Sequence, residues 1–281
     1  MIASTIGQTF LNVYNKQKHT NYTAKQFFEK VFFPLFFDHE KYMQWVTNSP
    51  FVQGIKKGQP PSKVERASRL EKLNIKIEDG ASDASVAIGY PSTDILATTS
   101  GQVSNVSLGI NPEAVYLSWI GGGFGIGVQG GISMYINNPV VLMTLFEGWQ
   151  YYRNYLEEIP KLRPNQIDTW NGQWLAHAYN TRFFNEDSPL ANFNPFKTSK
   201  EGVVELGTQT WVKVVFGLSK KFPNKNLMSY VFSLGQTNKT IGFIPIVLPK
   251  VRKLTHLYSK LFGENQYLQD ANKIEEIYGH K

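Results

Sequence analysis

Carboxylates that lie close together can hold a divalent ion and activate water. In this chain Glu78, Asp79 and Asp83 form the tightest such group. No lysine follows them in the carboxylate-x-Lys order of many nucleases, and solvated side chains in a turn explain them more simply. The histidines are His19, His39, His177, His256 and His280. None lies three or four residues from another, so no helical metal pair exists. Cysteine is absent, which removes disulfides, thiolate catalysis and cysteine-based metal sites. No Gly-x-Ser-x-Gly frames a nucleophile. The residues name no catalytic group, no metal ligand and no cofactor. A metal-dependent nuclease, or another nucleic-acid-processing enzyme assembled from distant carboxylates, is the alternative reading.

The run Gly121-Gly122-Gly123-Phe124-Gly125-Ile126-Gly127-Val128-Gln129-Gly130-Gly131 is the densest glycine cluster. Glycine reaches backbone angles closed to other residues and lets another chain approach its amides. The Gly-Lys-Ser/Thr of a phosphate-binding loop is missing, as are nearby cations and the dinucleotide pattern. A structural turn or hairpin, and a loop pressed against nucleic acid or a partner subunit, both remain open.

Binding is better advertised than catalysis. The net charge is +7, and it is sorted along the chain. No acid occurs between Leu206 and Gly263, a stretch that holds Lys213, Lys220, Lys221, Lys225, Lys239, Lys250, Arg252, Lys253 and Lys260. From Ile77 to Tyr152 there is no lysine or arginine. Cations gathered on one surface sum over roughly a Debye length and attract a polyanion. Nucleic acid leads, with an acidic protein, a membrane surface or plain solvation as the competing explanations.

The elements that must position these residues follow from length and periodicity. With 281 residues, 42% of them hydrophobic and 14% aromatic, the chain can bury a substantial core. The most apolar stretch, Val140 to Phe146, is far short of the roughly 20 residues of a membrane span. The N-terminus lacks the pattern of a secretory signal. A soluble, cytoplasmic protein without membrane contact is expected.

An α+β fold is expected. A mixed domain over 1–163 would carry a strand, glycine loop and helix at its core, and a polar connection with a basic, largely helical region would cover 164–281. Thr23 predicts a cap for a helix from Ala24 that Pro34 ends or kinks. The phenylalanines from Phe27 to Phe37 read as core or subunit contact. Ser62 to Leu73 predicts a short helix, and strand-like pieces follow over Asn74 to Val103. Val115 to Ile120 predicts a strand. Pro139 to Glu158 is the clearest helix. Pro164 to Glu201 reads as a connection or insertion. Val203 to Lys221 fits either one helix or a strand pair. Val251 to Phe262 predicts a helix with Leu254, Leu257, Tyr258 and Leu261 along an inward seam and its cations largely outside.

Three segments carry a family resemblance: Thr98-Thr99-Ser100-Gly101-Gln102-Val103-Ser104-Asn105, Leu117 through Gly131, and Phe146-Glu147-Gly148-Trp149-Gln150-Tyr151-Tyr152-Arg153. Together they resemble the CRISPR-associated large subunit of type I DNA surveillance complexes (Cascade). The resemblance implies a non-catalytic subunit that recognises a short motif in double-stranded DNA. It also implies assembly with a guide RNA complex and other effector subunits, and docking of a separate helicase-nuclease. This chain is short for that family.

On this reading the cations contact phosphates, a sequence-independent and salt-sensitive task. Lys56, Lys57, Lys63, Arg66 and Arg69 form one group, the last three on a common helical face. Lys220, Lys221, Arg252 and Lys253 form the other. Gln102, Asn105 and Gln129 are the candidates for base edges, because amides pair with adenine in the major groove. A hydrogen-bonded turn is the competing role for each amide.

Overall fold

A computed structural model describes residues 2–46, 49–51, 54–55, 59–80, 88, 111–180, 183–234 and 239–278. Lys56, Lys57, Asp83, Gln102, Asn105 and His280 lie outside the described residues, as does the 98–105 segment.

The fold is α+β. In chain order the first half runs through α1 (Ile2–Lys18), α2 (Ala24–Phe27), a π-helical turn (Phe28–Phe32), α3 (Phe33–Phe36), α4 (Lys63–Glu78) and α5 (Pro112–Gly122). Then come β1 (Ile126–Val128), β2 (Ile132–Ile136), α6 (Pro139–Glu158), α7 (Ile167–Ala178), β3 (Phe196–Thr198) and β4 (Val204–Leu206). The last part holds α8 (Trp211–Lys221), β5 (Asn226–Ser233), β6 (Lys239–Val247), α9 (Leu248–Phe262), α10 (Gln266–Gln269) and α11 (Ala271–Tyr278).

Two compact units alternate along the sequence. Met1–Phe124 and Trp149–Ile167 belong to the first; Gly125–Gly148, Asp168–Leu234 and Lys239–Lys281 belong to the second. Each unit is built from separate stretches of the chain, so no single break divides them. Among the described residues every strand lies in the second unit.

In the first unit the capping box that Thr23 promises is present, with Thr23 Oγ1 accepting from the Gln26 N–H and Gln26 answering in return. Pro34 does not end the helix. It supplies no N–H, and the preceding turn widens so that the Phe33 N–H reaches back five residues to the Phe28 carbonyl before the chain leaves at Phe36. Phe27, Phe28, Phe32 and Phe36 are all fully buried. Phe36 meets Trp149 edge to face, with centroids 4.7 Å apart. The phenylalanine group is core.

Val115 to Ile120 is helix, not strand. Asn111 Oδ1 accepts from the Glu113 N–H at 2.9 Å and Pro112 opens the first turn, so the start signal overrides the β-branched and aromatic content. α5 is buried from Val115 to Gly122, and a helix covered on every side needs no polar face. Gly7 and Gly121 let it lie directly on α1. A Cβ on Gly7 would overlap the Leu117 carbonyl, and one on Gly121 the Ala3 carbonyl. α4 runs on to Glu78, so Asn74 to Glu78 is helix rather than strand. Asn74 is drawn in because its Nδ2 donates to Glu29 Oε1 at 2.8 Å and its Oδ1 accepts from Tyr116 Oη at 2.9 Å.

In the second unit, β1-β2-β5-β6 form an antiparallel sheet and β3-β4 a two-stranded one. The glycine cluster is therefore a helix end followed by a hairpin. Gly130 and Gly131 turn the chain between β1 and β2 at φ of 87° and 68°, angles that exclude most side chains. The polar stretch after Pro164 is not mere connection: α7 buries Trp170 and Trp174, and Trp174 Nε1 donates to the Thr144 carbonyl at 2.7 Å. The four-residue tryptophan spacing is the helical signal hidden among the amides. Val203 to Lys221 is neither one helix nor a strand pair: a single strand, β4, is followed by α8.

The inward seam expected on α9 is wrong. Leu254, Leu257 and Leu261 are exposed, whereas Leu248 and Thr255 are buried and Val251 and Tyr258 pack on the α8 core. α9 follows β6 without a linker, and burial of Leu248 at that junction fixes the rotation of the helix. No helix among the described residues is long and apolar enough to cross a membrane.

Candidate nucleic-acid interface

α8 begins where Thr210 Oγ1 accepts from the Lys213 N–H at 3.2 Å. Its Val212 and Phe216 join Tyr267 and Ala271 in one buried cluster, against which Val251 and Tyr258 of α9 pack. That packing brings the last turn of α8 to the second turn of α9. Lys220, Arg252 and His256 consequently line one cleft of about 310 Å³ together with Ser259 and Asn265; Glu264 is the carboxylate among its described lining residues.

Lys220 is held in place. Its Nζ donates to Asn265 Oδ1 at 3.0 Å and stands over the Tyr267 ring at 5.3 Å. Tyr267 Oη donates to the same Asn265 Oδ1 at 3.2 Å. Burial, and then the charge of Arg252, push the Lys220 amine below the ordinary lysine range. Two cations held together in partial burial repel, and an entering anion relieves that repulsion. Asn265 adopts φ 61°, the left-handed region that asparagine tolerates better than most residues.

The other sequence-predicted cations divide. Lys221 stands over Tyr179 at 5.9 Å and does not line the Arg252 cleft; with Lys220, Glu147 and Glu186 it lines another, of about 440 Å³. Lys253 is exposed on α9 and does not line the Lys220 cleft. On α4, Lys63 is exposed. Arg66 instead turns inward: Nε pairs with Asp38 Oδ1 at 2.9 Å and Nη1 donates to the Pro61 carbonyl at 2.6 Å. Arg69 Nη1 donates to the Pro50 carbonyl at 2.8 Å. The three-residue spacing put these arginines on one face, as read, but that face meets the protein. Gln129 is exposed at the hairpin, and its Nε2 donates weakly to the Thr208 carbonyl at 3.5 Å; the hydrogen-bonded turn role is the one its geometry fits.

Sequence reasoning missed His256 and Asn265. His256 follows Arg252 by four residues on α9, a spacing that places both on one helical face. Asn265 enters through a turn and carries no local signal.

Among the described residues no group of three or more histidines and carboxylates is placed to hold a metal ion. Glu78 is taken by Lys25 Nζ at 2.6 Å. The most perturbed carboxylate is Asp168, which burial pushes up to about 6 although Ser133 Oγ donates to it at 2.7 Å. His177 stands nine residues farther along α7, about 13 Å away, and its Nε2 lies 2.8 Å from the Pro189 carbonyl.

Comparison with known protein families, with curated proteins and with solved structures gives no match. The functional reading rests on the site itself.

Proposed function

We propose that this protein is a non-catalytic nucleic-acid-binding subunit whose second unit grips the phosphate backbone through the α8–α9 cleft. The observation that carries the reading is the convergence of Lys220 and Arg252, from separate helices, at a cost that an anion would remove. Its acid-free sequence context adds long-range attraction. Arg66 and Arg69 are assigned to the fold.

The specific form of the proposal is that the polyanion is DNA and the setting an RNA-guided surveillance complex in the cytoplasm, with a guide RNA complex, other effector subunits and a helicase-nuclease as partners. That form is supported by the resemblance over residues 98–105, 117–131 and 146–153.

Fluorescence anisotropy of a labelled DNA strand or duplex, titrated with the full chain at several salt concentrations, tests the reading. Two cations at the interface, Lys220 and Arg252, predict that log affinity falls against log salt with a slope of about −1.4 to −1.8. Lys220→Met with Arg252→Gln should flatten that slope and weaken binding to unrelated sequences alike. Absence of salt-dependent binding overturns the proposal.

A further inference from the structure

Helix α9 carries two kinds of surface. Its inner side holds Leu248 and Thr255, both buried, with Val251 and Tyr258 packed on the α8 core. On its outer side Leu254, Leu257 and Leu261 are 46%, 52% and 65% exposed. Each helical residue turns the chain by about 100°, so these three leucines share an arc of about 60° along roughly 10 Å of helix.

Cations frame the leucines. Lys250 falls in the same arc one turn before Leu254, while Lys253 and Lys260 follow its border. All three lysines are exposed, and α9 contains no acid. Arg252 and His256 lie farther round the helix, where they line the Lys220 cleft. The leucine face and the cleft are therefore different sides of one element.

An occupant of this face has to match the leucines and the lysines together. A second copy of the face would set lysine against lysine, and like charges across an interface repel. A nucleic-acid backbone pairs with the lysines but offers the leucines no apolar contact. Three half-exposed leucines also fall far short of the roughly 800 Å² per partner that a stable protein pair buries.

An anionic bilayer meets both demands. Its acyl boundary takes the leucines, and its headgroups take the ammonium groups at the ends of long lysine stems. The negative surface potential of such a membrane adds attraction to each lysine. A helix that lies in the interface needs no spanning segment.

We infer that the outer face of α9 docks the second unit on an anionic lipid surface. Leu254, Leu257 and Leu261 enter the acyl boundary, and Lys250, Lys253 and Lys260 rest on the headgroups. This departs from the expectation of a protein without membrane contact, and it stands independently of the polyanion cleft. Two turns of helix and three lysines make the contact weak and reversible.

The experiment is co-sedimentation of the full chain with phosphatidylcholine vesicles, either pure or containing about one-third phosphatidylserine. The phosphatidylserine vesicles should bind about 100-fold more tightly, the effect of three lysines near a charged surface. Lys250→Gln with Lys253→Gln and Lys260→Gln should abolish that difference. Leu254→Ser with Leu257→Ser and Leu261→Ser should weaken binding at least about 30-fold, with the melting temperature and the DNA anisotropy titration unchanged. Where that triple variant melts earlier, Leu257→Ser alone carries the test, with a loss of about 3- to 10-fold. A chain that ignores phosphatidylserine vesicles overturns the inference. So does vesicle binding that survives loss of the leucines, since the lipid then acts only as a polyanion for the cleft. A wild-type dimer in sedimentation velocity that the leucine variant separates gives the face to a second copy and overturns it as well. Binding to vesicles without binding to DNA keeps this inference and sinks the polyanion reading; the opposite result does the reverse.

Discussion

Lys220 Nζ and Asn265 Oδ1 lie 3.0 Å apart, and this bond holds an ammonium group where burial and Arg252 both disfavour its charge. Arg252→Gln removes the second cation and should therefore weaken polyanion binding without lowering the melting temperature. The salt slope should flatten by about one unit on duplex DNA for one lost phosphate contact. Anisotropy titrations and thermal melts of the same preparations read the two effects. A variant that binds as before, or that binds less only because it melts earlier, would contradict the role given to Arg252.

Asp168 makes stability depend on pH. Burial raises its folded pKa to about 6 from about 4 when unfolded. Between those values the folded state holds a proton that the unfolded state has released. Stability is therefore full below about pH 4 and falls as pH rises through about 6, by up to roughly 3 kcal/mol. Asp168→Asn should remove that decline, which urea unfolding of both proteins from pH 4 to pH 7 will measure.

Gly7 and Gly121 invert the usual helix rule. An exposed helical glycine replaced by alanine gains up to about 1 kcal/mol. Here the added methyl meets the carbonyl of the facing helix, and overpacking of this kind costs about 1–3 kcal/mol or more. Gly7→Ala should lower the denaturation midpoint, and an increase would mean that α1 and α5 are not in direct contact.

Arg153 is a charge in the core of the first unit that looks, in sequence, like any basic residue near a helix end. Nε donates to the Leu35 carbonyl at 2.9 Å and Nη1 to the Lys41 carbonyl at 2.8 Å. Burial lowers its pKa to about 10. Arg153→Met leaves both carbonyls without that donor and should destabilise the protein by about 2–4 kcal/mol, measurable as a loss of denaturation midpoint.

What was legible in the sequence was what local chemistry decides. Thr23 announces its helix because a hydroxyl before the first turn satisfies an N–H there. Pro139 to Glu158 declares itself by the spacing of its buried residues. Val115 to Ile120 misled because total burial erases the polar face that distinguishes helix from strand. The acid-free stretch contains α8 and α9, but it does not say which of their cations meet. Lys220 and Lys221 are neighbours in sequence, yet only Lys220 reaches the cleft that Arg252 lines, from far along the chain. Arg66 carries no sequence mark of its partner, since Asp38 lies in a separate segment.

α9 offers the sharpest contrast between pattern and packing. The spacing of Leu254, Leu257 and Leu261 is that of a buried seam, and by that rule Leu257→Ser would cost several kcal/mol. Leu257 is exposed, so little contact is lost, and the change should stay within about 0.5 kcal/mol. Leu248→Ala, at a residue with no exposed surface, should cost about 2–5 kcal/mol. Chemical denaturation of the two variants separates the alternatives, and a large loss from Leu257→Ser would show that the helix is rotated from the position described. Because Arg252 and His256 share that rotation, the same pair of measurements also tests whether these two side chains face the Lys220 cleft: a seam turned inward at Leu257 would carry them away from it.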